Sequence, residues 1–124
     1  MTTAQSALEY QHRDWATVPV ETIADGIQRQ MIWGEHLMVC RLCFGPHIVT
    51  AVHSHPHEQI TLVERGRVLF TIDGIQHPAS AGAVLHVPSG VSHGATILDE
   101  GAVLIDIFSP IREEFLPAGG HSPG

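Results

Sequence analysis

Histidine is concentrated in one short segment of this chain, residues 52–59, which reads Val-His-Ser-His-Pro-His-Glu-Gln. The full sequence contains ten histidines among 124 residues. His53 and His55 lie two residues apart, and on an extended strand such residues project from the same face, so both imidazoles could bind one metal ion. Pro56 cannot donate a ladder hydrogen bond and should bend the chain. The bend would let a later side chain return to the same point.

Two further positions could complete a metal site. The bend is followed by three candidate ligands, His57, Glu58 and Gln59. A fourth ligand could come from residues 82–93, where glycines and a Pro-Ser-Gly turn deliver His93 to the start of the next strand. A single histidine in a turn is usually polar surface, but a His-x-His pair combined with this second turn favours a metal site.

Asp106 is a candidate for proton transfer. In the run from Val103 to Phe108 it shares a strand face with Leu104 and Phe108. An aspartate among apolar neighbours is costly to bury unless it is paired or functional, and desolvation would raise its pKa towards the range useful for acid–base chemistry. The alternative is an edge position that faces solvent.

Arg112 follows the Pro110 bend and has two possible roles. It could be a surface charge that pairs with Glu113 or Glu114. It could instead bind a carboxylate with two parallel hydrogen bonds.

The elements that must position these residues are short strands. Proline and glycine interrupt the sequence at short intervals, with breaks expected at Arg65-Gly66 and Glu100-Gly101 among others. The runs between them favour β-branched and aromatic residues. Residues 67–73 alternate, with Val68, Phe70 and Ile72 on one face, and Asp73-Gly74 suits a two-residue hairpin turn. The pattern predicts an all-β sandwich or barrel.

The length predicts one domain that spans residues 1–124. Residues 1–14 are polar and could form an arm over the barrel or over a partner subunit, residues 30–116 would form the barrel, and residues 117–124 a flexible tail. One helical turn is expected within residues 111–116.

Composition excludes several classes of function. Six arginines and no lysine stand against thirteen acidic residues, which gives a net charge of -7 with histidine neutral. This balance argues against a nucleic-acid binder or a protein that binds anionic membranes. No run has the length of a membrane span or of a signal peptide. Cys40 and Cys43 should point to opposite faces of one strand as reduced thiols, which suits the cytoplasm.

The two histidine segments resemble the paired motifs of the cupin family. The first motif, G-x5-H-x-H-x3,4-E-x6-G, is matched by His53, His55, Gln59 and Gly66, and the second, G-x5-P-x-G-x2-H-x3-N, by Gly82, Pro88, Gly90 and His93. The sequence departs from the motifs at three positions. His47 replaces the opening glycine, Gln59 replaces the glutamate, and Ile97 replaces the closing asparagine. The resemblance implies a double-stranded β-helix, or jelly-roll, barrel with a metal inside.

The segment from Asp106 to Leu116 sharpens the resemblance. Together with His-Ser-His-Pro-His-Glu-Gln it is similar to the pectin-degradation cupins of the KdgF type, which convert 4,5-unsaturated uronates into linear keto-deoxy sugar acids. The resemblance implies active-site roles for Asp106, Phe108 and Arg112. Asp106 would act as acid and base, Arg112 would hold the carboxylate of the sugar, and Phe108 would form an apolar wall. It also implies one divalent metal ion, whether Ni, Zn, Fe or Mn, with ligands His53, His55, Gln59 and His93.

Alternatives stay open at this point. Glu58 could replace Gln59 as ligand if Pro56 shifts the register. Three histidines and an oxygen ligand also suit an Fe(II)-dependent dioxygenase, and the same fold could be a non-catalytic module that binds a small molecule. A homodimer is expected, because Trp15, Trp33 and the N-terminal arm offer material for an interface.

Overall fold

The computed structural model describes residues 10–117 and confirms an all-β chain. Its seven strands are β1 (Glu21–Ala24), β2 (Ile27–Trp33), β3 (Met38–Phe44), β4 (Glu58–Ile72), β5 (Ile75–Ser80), β6 (Val84–Val87) and β7 (His93–Ser109). Short 3-10 turns lie at Trp15–Thr17 and Glu113–Phe115, and the second is the turn expected within residues 111–116. The sheet begins at Glu21, before the expected lower bound of residue 30. In this part of the chain no helix is long and apolar enough to cross a membrane.

The strands are joined in the order β1-β2-β3-β7-β4-β5, with β6 paired to β4, and every pair is antiparallel. β4 and β7 are the long members and pair with each other along most of their length. The first half of β4 also pairs with β6, and its second half pairs with β5. These two strands therefore run through both halves of the barrel and connect its parts.

The breaks expected at Arg65-Gly66 and Glu100-Gly101 do not end strands. Both lie inside long strands, where the register between β4 and β7 shifts around Gly66. Gly66 has a φ of 88° and Gly101 a φ of 71°. A Cβ added at Gly66 would overlap the carbonyl oxygen of Gly101. The glycines allow two bent strands to stay paired at a close crossing, so they mark a bulge and not a loop.

The hairpin predicted at Asp73-Gly74 is confirmed. Both residues have positive φ, 50° and 77°, as a two-residue hairpin turn between β4 and β5 requires. Val68 and Phe70 are buried, and Ile72 packs against the same cluster. That cluster of buried residues consists of Val63, Val68, Phe70, Ile97, Ala102 and Leu104.

A second cluster of buried residues lies beside the first and consists of Met31, Trp33, Met38, Cys40 and Phe108. Trp33 is only 6% exposed, so its indole stabilises this core and is not available for the subunit interface that its size suggested. The backbone carbonyl of Trp33 accepts a hydrogen bond from Gln11 Nε2 at 2.8 Å. The described part of the N-terminal arm therefore contacts its own barrel. Residues 1–9 of the arm and 118–124 of the tail lie outside the described residues, and the homodimer stays a prediction.

Candidate metal centre and cavity

Three histidines converge at one end of the barrel. One ring nitrogen of each of His53, His55 and His93 lies within 4.8 Å of the corresponding nitrogens of the other two. His55 and His93 are buried, whereas His53 is exposed, so the group is open to solvent on one side. The sequence-predicted histidines are thus brought together in the geometry of a shared cation site.

Hydrogen bonds to the backbone fix which nitrogen of each ring is free. The Nδ1 atoms of His53, His55 and His93 lie 3.0, 3.0 and 2.9 Å from the carbonyl oxygens of Ala51, His57 and Val91. A carbonyl only accepts, so each Nδ1 carries the proton and each Nε2 presents a lone pair. Burial lowers the pKa of His55 and His93, and the positive charge of Arg112 adds to the effect on His55. Both imidazoles therefore favour the neutral state that binds a metal.

The backbone holds the three histidines in register. His53 and His93 form an isolated antiparallel bridge, in which the amide of each donates to the carbonyl of the other at 3.0 and 2.8 Å. The Gly90 amide donates to the His55 carbonyl at 2.9 Å. The turn before β7 therefore holds the His-x-His segment, and both sequence motifs build the same site.

Gln59 adds an oxygen to the nitrogen set. Its Oε1 atom lies 3.1 Å from His55 Nε2, and its Nε2 atom donates to Thr61 Oγ1 at 2.8 Å. With Nδ1 of His55 protonated, a nitrogen lone pair faces an oxygen lone pair, and a cation between them satisfies both. The donor set of three imidazoles and one amide oxygen fits a divalent transition metal.

Glu58, the rival ligand, points away from the histidines. Its carboxylate is exposed and lies 2.6 Å from His86 Nε2 on β6. The reason is strand parity, since neighbouring residues of β4 face opposite sides and Gln59 takes the buried side. His57, the remaining candidate, packs its ring edge-on against His55 at 5.4 Å between centroids and lies outside the group of three.

Asp106 faces the same cavity as the histidines. Its Oδ1 atom accepts a hydrogen bond of 2.6 Å from the Thr61 hydroxyl, which in turn accepts from Gln59. Desolvation by burial raises the pKa of Asp106 from 3.8 to about 6, although Thr61 and the positive charge of Arg112 act in the other direction. The carboxyl can therefore give or accept a proton near neutrality. The structure therefore places Asp106 in the wall of the cavity and not at a strand edge that faces solvent.

Phe108 and Arg112 lie on the wall of this cavity. Phe108 is 2% exposed, and its ring meets the ring of His55 edge-on at 5.7 Å. The guanidinium carbon of Arg112 lies 5.1 Å from the Phe108 centroid and 4.2 Å from that of Phe115. Its Nε and Nη2 atoms contact Glu114 Oε2 at 3.0 and 2.9 Å. Arg112 thus has features of both roles that the sequence allowed. It pairs with a glutamate, and it also lines the cavity where a carboxylate could bind.

The cavity has a volume of about 200 Å³, whereas one water molecule needs roughly 10–15 Å³ on the same measure. Sequence reasoning did not assign several residues to its wall, among them Arg29, Cys40, Thr61 and Phe115. Only parity along β4 could have indicated Thr61, which shares a face with Gln59. Burial raises the pKa of the Cys40 thiol to about 12 with a further contribution from Asp106, so Cys40 is no nucleophile.

Comparison with known proteins identifies the class to which this barrel and its histidines belong. The family model of the Cupin domain matches residues 41–108. The chain therefore belongs to the cupin family, and its barrel is the all-β cupin fold. A crystal structure of an RmlC-like cupin from Shewanella frigidimarina superposes with a TM-score of 0.82 and 33% identity, over 87% of this chain and 97% of that one.

Within the family, the chain is similar to proteins named KdgF. It is 36% identical over 100 residues to the pectin degradation protein KdgF of Dickeya dadantii, which covers 79% of this chain and 91% of the relative. The structure of KdgF from a Halomonas species superposes with a TM-score of 0.75 and 30% identity, over 79% of this chain and 91% of that one. The resemblance noted from the two motifs and the Asp106 segment is thus confirmed.

Proposed function

We propose that this protein is a metal-dependent enzyme of pectin or alginate breakdown, which converts a 4,5-unsaturated uronate into the linear 5-keto-4-deoxyuronate. One observation carries the proposal. A carboxyl with a pKa raised to about 6 lies in the same cavity as a three-histidine cation site, joined to it through Thr61 and Gln59. The name of the Dickeya relative, a pectin degradation protein, supports the choice of substrate class.

Asp106 would move the protons of this reaction. Its protonated carboxyl gives a proton to C4 of the C4=C5 enol ether, and a water molecule adds at C5. The carboxylate takes back a proton from this water, which leaves a hydroxyl on C5. The C5 hydroxyl then gives up its proton as the bond between C5 and the ring oxygen breaks, and the carboxyl passes a proton to the ring oxygen. C5 becomes a ketone, and the two hydroxyls now on C1 lose water to form the aldehyde. A single carboxyl with a pKa near neutrality suits both directions of transfer.

The other residues would bind and orient the sugar. Arg112 would contact the carboxylate at C6, and the Phe108 ring would cover an apolar face of the substrate. A divalent cation held by His53, His55, Gln59 and His93 would supply Lewis acidity beside the carboxylate and ring oxygens. Because Gln59 is neutral where the family motif has glutamate, the site keeps more positive charge for an anionic substrate.

The proposal is tested by mixing the purified protein with the unsaturated monouronate released by a pectate or alginate lyase, and following the loss of ultraviolet absorbance. We expect acceleration over the spontaneous reaction and loss of that acceleration with a chelator. Asp106→Asn should lower kcat at least 1000-fold, within the range that removal of a general acid–base group produces. Its metal content should match that of the wild type, because Asp106 contacts Thr61 and not the histidines.

A matched control removes a different aspartate from the same strand. Asp99 lies on β7 with an exposed side chain, so Asp99→Asn should keep full activity. Activity retained with zinc or nickel under anaerobic conditions would exclude a dioxygenase. A protein that binds the sugar acid without accelerating its conversion would contradict the proposal and favour a binding module.

A further inference from the structure

Arg29 is a mostly buried cation in the wall of the cavity. It lies on β2, its side chain is 11% exposed, and it lines the same cavity as Asp106 and His93. Its Nε atom donates to Glu21 Oε1 on β1 at 3.1 Å. Among the described residues, no acceptor contacts its two terminal nitrogens.

The terminal nitrogens of Arg29 can donate to an anion that enters the cavity. They are not among the buried atoms of the described residues that lack a hydrogen-bond partner, so water reaches them and an anion can replace that water. The two terminal nitrogens of an arginine form a planar fork that matches the two oxygens of a carboxylate. Arg29 therefore has the chemistry of a carboxylate-binding residue.

Arg29 and Arg112 both stack on the ring of Phe115. The guanidinium carbons of the two arginines lie 4.4 and 4.2 Å from the centroid of this one ring. Stacking on an aromatic ring restrains a guanidinium and favours its positive charge. Arg112 already directs two of its nitrogens to Glu114, whereas Arg29 directs only Nε to a carboxylate. Arg29 thus has more unpaired N–H donors than Arg112 has.

The charges around this pair also favour an anion inside the cavity. The guanidiniums of Arg29 and Arg112 belong to side chains that are 11% and 14% exposed. Their partners Glu21 and Glu114 are 46% and 52% exposed, so water screens the glutamates more than the arginines. A carboxylate within the cavity would therefore interact with the two mostly buried cations more than with Glu21 and Glu114, and the ionised form of Asp106 in the same wall would oppose it.

We propose that Arg29 is a specificity-determining residue, whose terminal nitrogens bind the carboxylate of the sugar acid together with Arg112, which stacks on the same Phe115 ring. This inference rests on the proposed function for the identity of the substrate. The site selects compact carboxylates and discriminates against neutral sugars of the same size. Lysine is a poor substitute at this position, because an ammonium group lacks the planar fork.

The test separates binding from turnover by using a saturated sugar acid and a neutral sugar. D-galacturonate and D-galactose are titrated by calorimetry into the wild type, Arg29→Gln and a control, Arg67→Gln. Arg67 is exposed and lies outside the Arg29 cavity, so the control makes the same change of net charge elsewhere. Metal content and melting temperature are measured for each protein.

We expect the wild type and Arg67→Gln to bind galacturonate more tightly than galactose. Arg29→Gln should lose at least tenfold in galacturonate affinity with little change for galactose. With the unsaturated uronate, KM should rise at least tenfold while kcat changes less than threefold, since Arg29 lies on the binding wall and Asp106 moves the protons. Arg29→Lys keeps the charge, and its galacturonate affinity should lie between those of the wild type and Arg29→Gln. It replaces Arg29→Gln in the test if that variant does not fold.

Two results would overturn the assignment of Arg29. One is an unchanged preference for galacturonate in Arg29→Gln and Arg29→Lys, and the other is a wild type without such a preference. Failure of the proposed function is a separate result, in which the wild type does not accelerate opening of the unsaturated uronate. In that case a galacturonate preference that depends on Arg29 would still support a carboxylate site.

Discussion

At the scale of single residues, the side-chain amide of Gln59 determines which groups donate and which accept along a chain of hydrogen bonds. Its oxygen faces His55, so its nitrogen must donate to Thr61, and the Thr61 hydroxyl must then donate to Asp106. A glutamate at this position would offer only acceptors, and the Thr61 proton could serve just one of two carboxylates. The departure from the family motif at Gln59 therefore affects Asp106, the proposed acid–base group, as well as the candidate cation site.

The buried carboxyl of Asp106 should reduce stability at high pH. Its pKa in the folded protein, about 6, is above the ordinary 3.8, so the folded state disfavours the ionised form. The stability that the neutral carboxyl provides is complete below the ordinary pKa and is lost as the pH rises through about 6. In metal-free protein, Asp106→Asn should thus be more stable than the wild type at pH 8, by about 3 kcal/mol at most.

Urea unfolding of both proteins between pH 4 and pH 8 measures this difference, which should approach zero at the acidic end. The exposed Asp99→Asn provides the control, and its difference from the wild type should not depend on pH. A stability gain for Asp106→Asn that is the same at pH 4 and pH 8 would contradict the assigned pKa.

At the scale of strands, the local pattern predicted the turns that are made by neighbouring residues. The Asp73-Gly74 hairpin and the 3-10 turn near Glu113 depend on short-range chemistry, and both were predicted. The continuity of β4 through Gly66 was not predicted. A glycine that ends a strand and a glycine that bends a continuous strand give the same local sequence signal. Only the approach of Gly101 from a distant strand decides between the two.

The close crossing at Gly66 gives a second prediction. Gly66→Ala would place a methyl group against the backbone of Gly101 at a φ of 88°, so neither the backbone nor the neighbour can accept it. We expect a loss of more than about 3 kcal/mol in the free energy of unfolding, within the range for severe backbone and packing defects. Denaturant unfolding measures the loss.

Gly74→Ala is the matched control for this prediction. Gly74 also has a positive φ, 77°, but nothing lies within 4 Å of the added methyl group. It should therefore cost only the conformational term, about 1–2 kcal/mol. Equal losses in the two variants would show that the strand crossing adds nothing.

The same reasoning explains which part of the site was predictable. His53, His55 and His93 lie in two compact motifs, and Pro56 and Gly90 supply the bends, so their convergence follows from short segments of sequence. Arg29 lies on β2 in a segment with no motif. Its place in the cavity depends on pairing of β2 with β3 and on Phe115 near the other end of the chain, which no local pattern reports.

At the scale of the whole molecule, the cation site joins distant parts of the chain. His53 and His55 precede β4, whereas His93 begins β7. The unfolded chain does not hold these residues together, so a cation should bind the folded state preferentially and stabilise it. At a free metal concentration of 100 times Kd, we expect a gain of about 2.7 kcal/mol in the free energy of unfolding.

Thermal unfolding with and without zinc or nickel, after treatment with a chelator, measures this gain. His93→Ala should abolish it, and His86→Ala should retain it because His86 pairs with Glu58 outside the site. The gain should shrink below about pH 6, where protons compete for imidazoles. An equal gain in His93→Ala would place the cation elsewhere.

The backbone bridge between His53 and His93 also means that the candidate cation site is completed late in synthesis. A ribosome makes the chain from its N-terminus, so the His-x-His segment emerges well before its third partner. Until β7 has been made and has paired, the first two imidazoles have neither the third nitrogen nor the backbone bridge that fixes their direction. The nascent chain should therefore bind a cation more weakly than the finished barrel does.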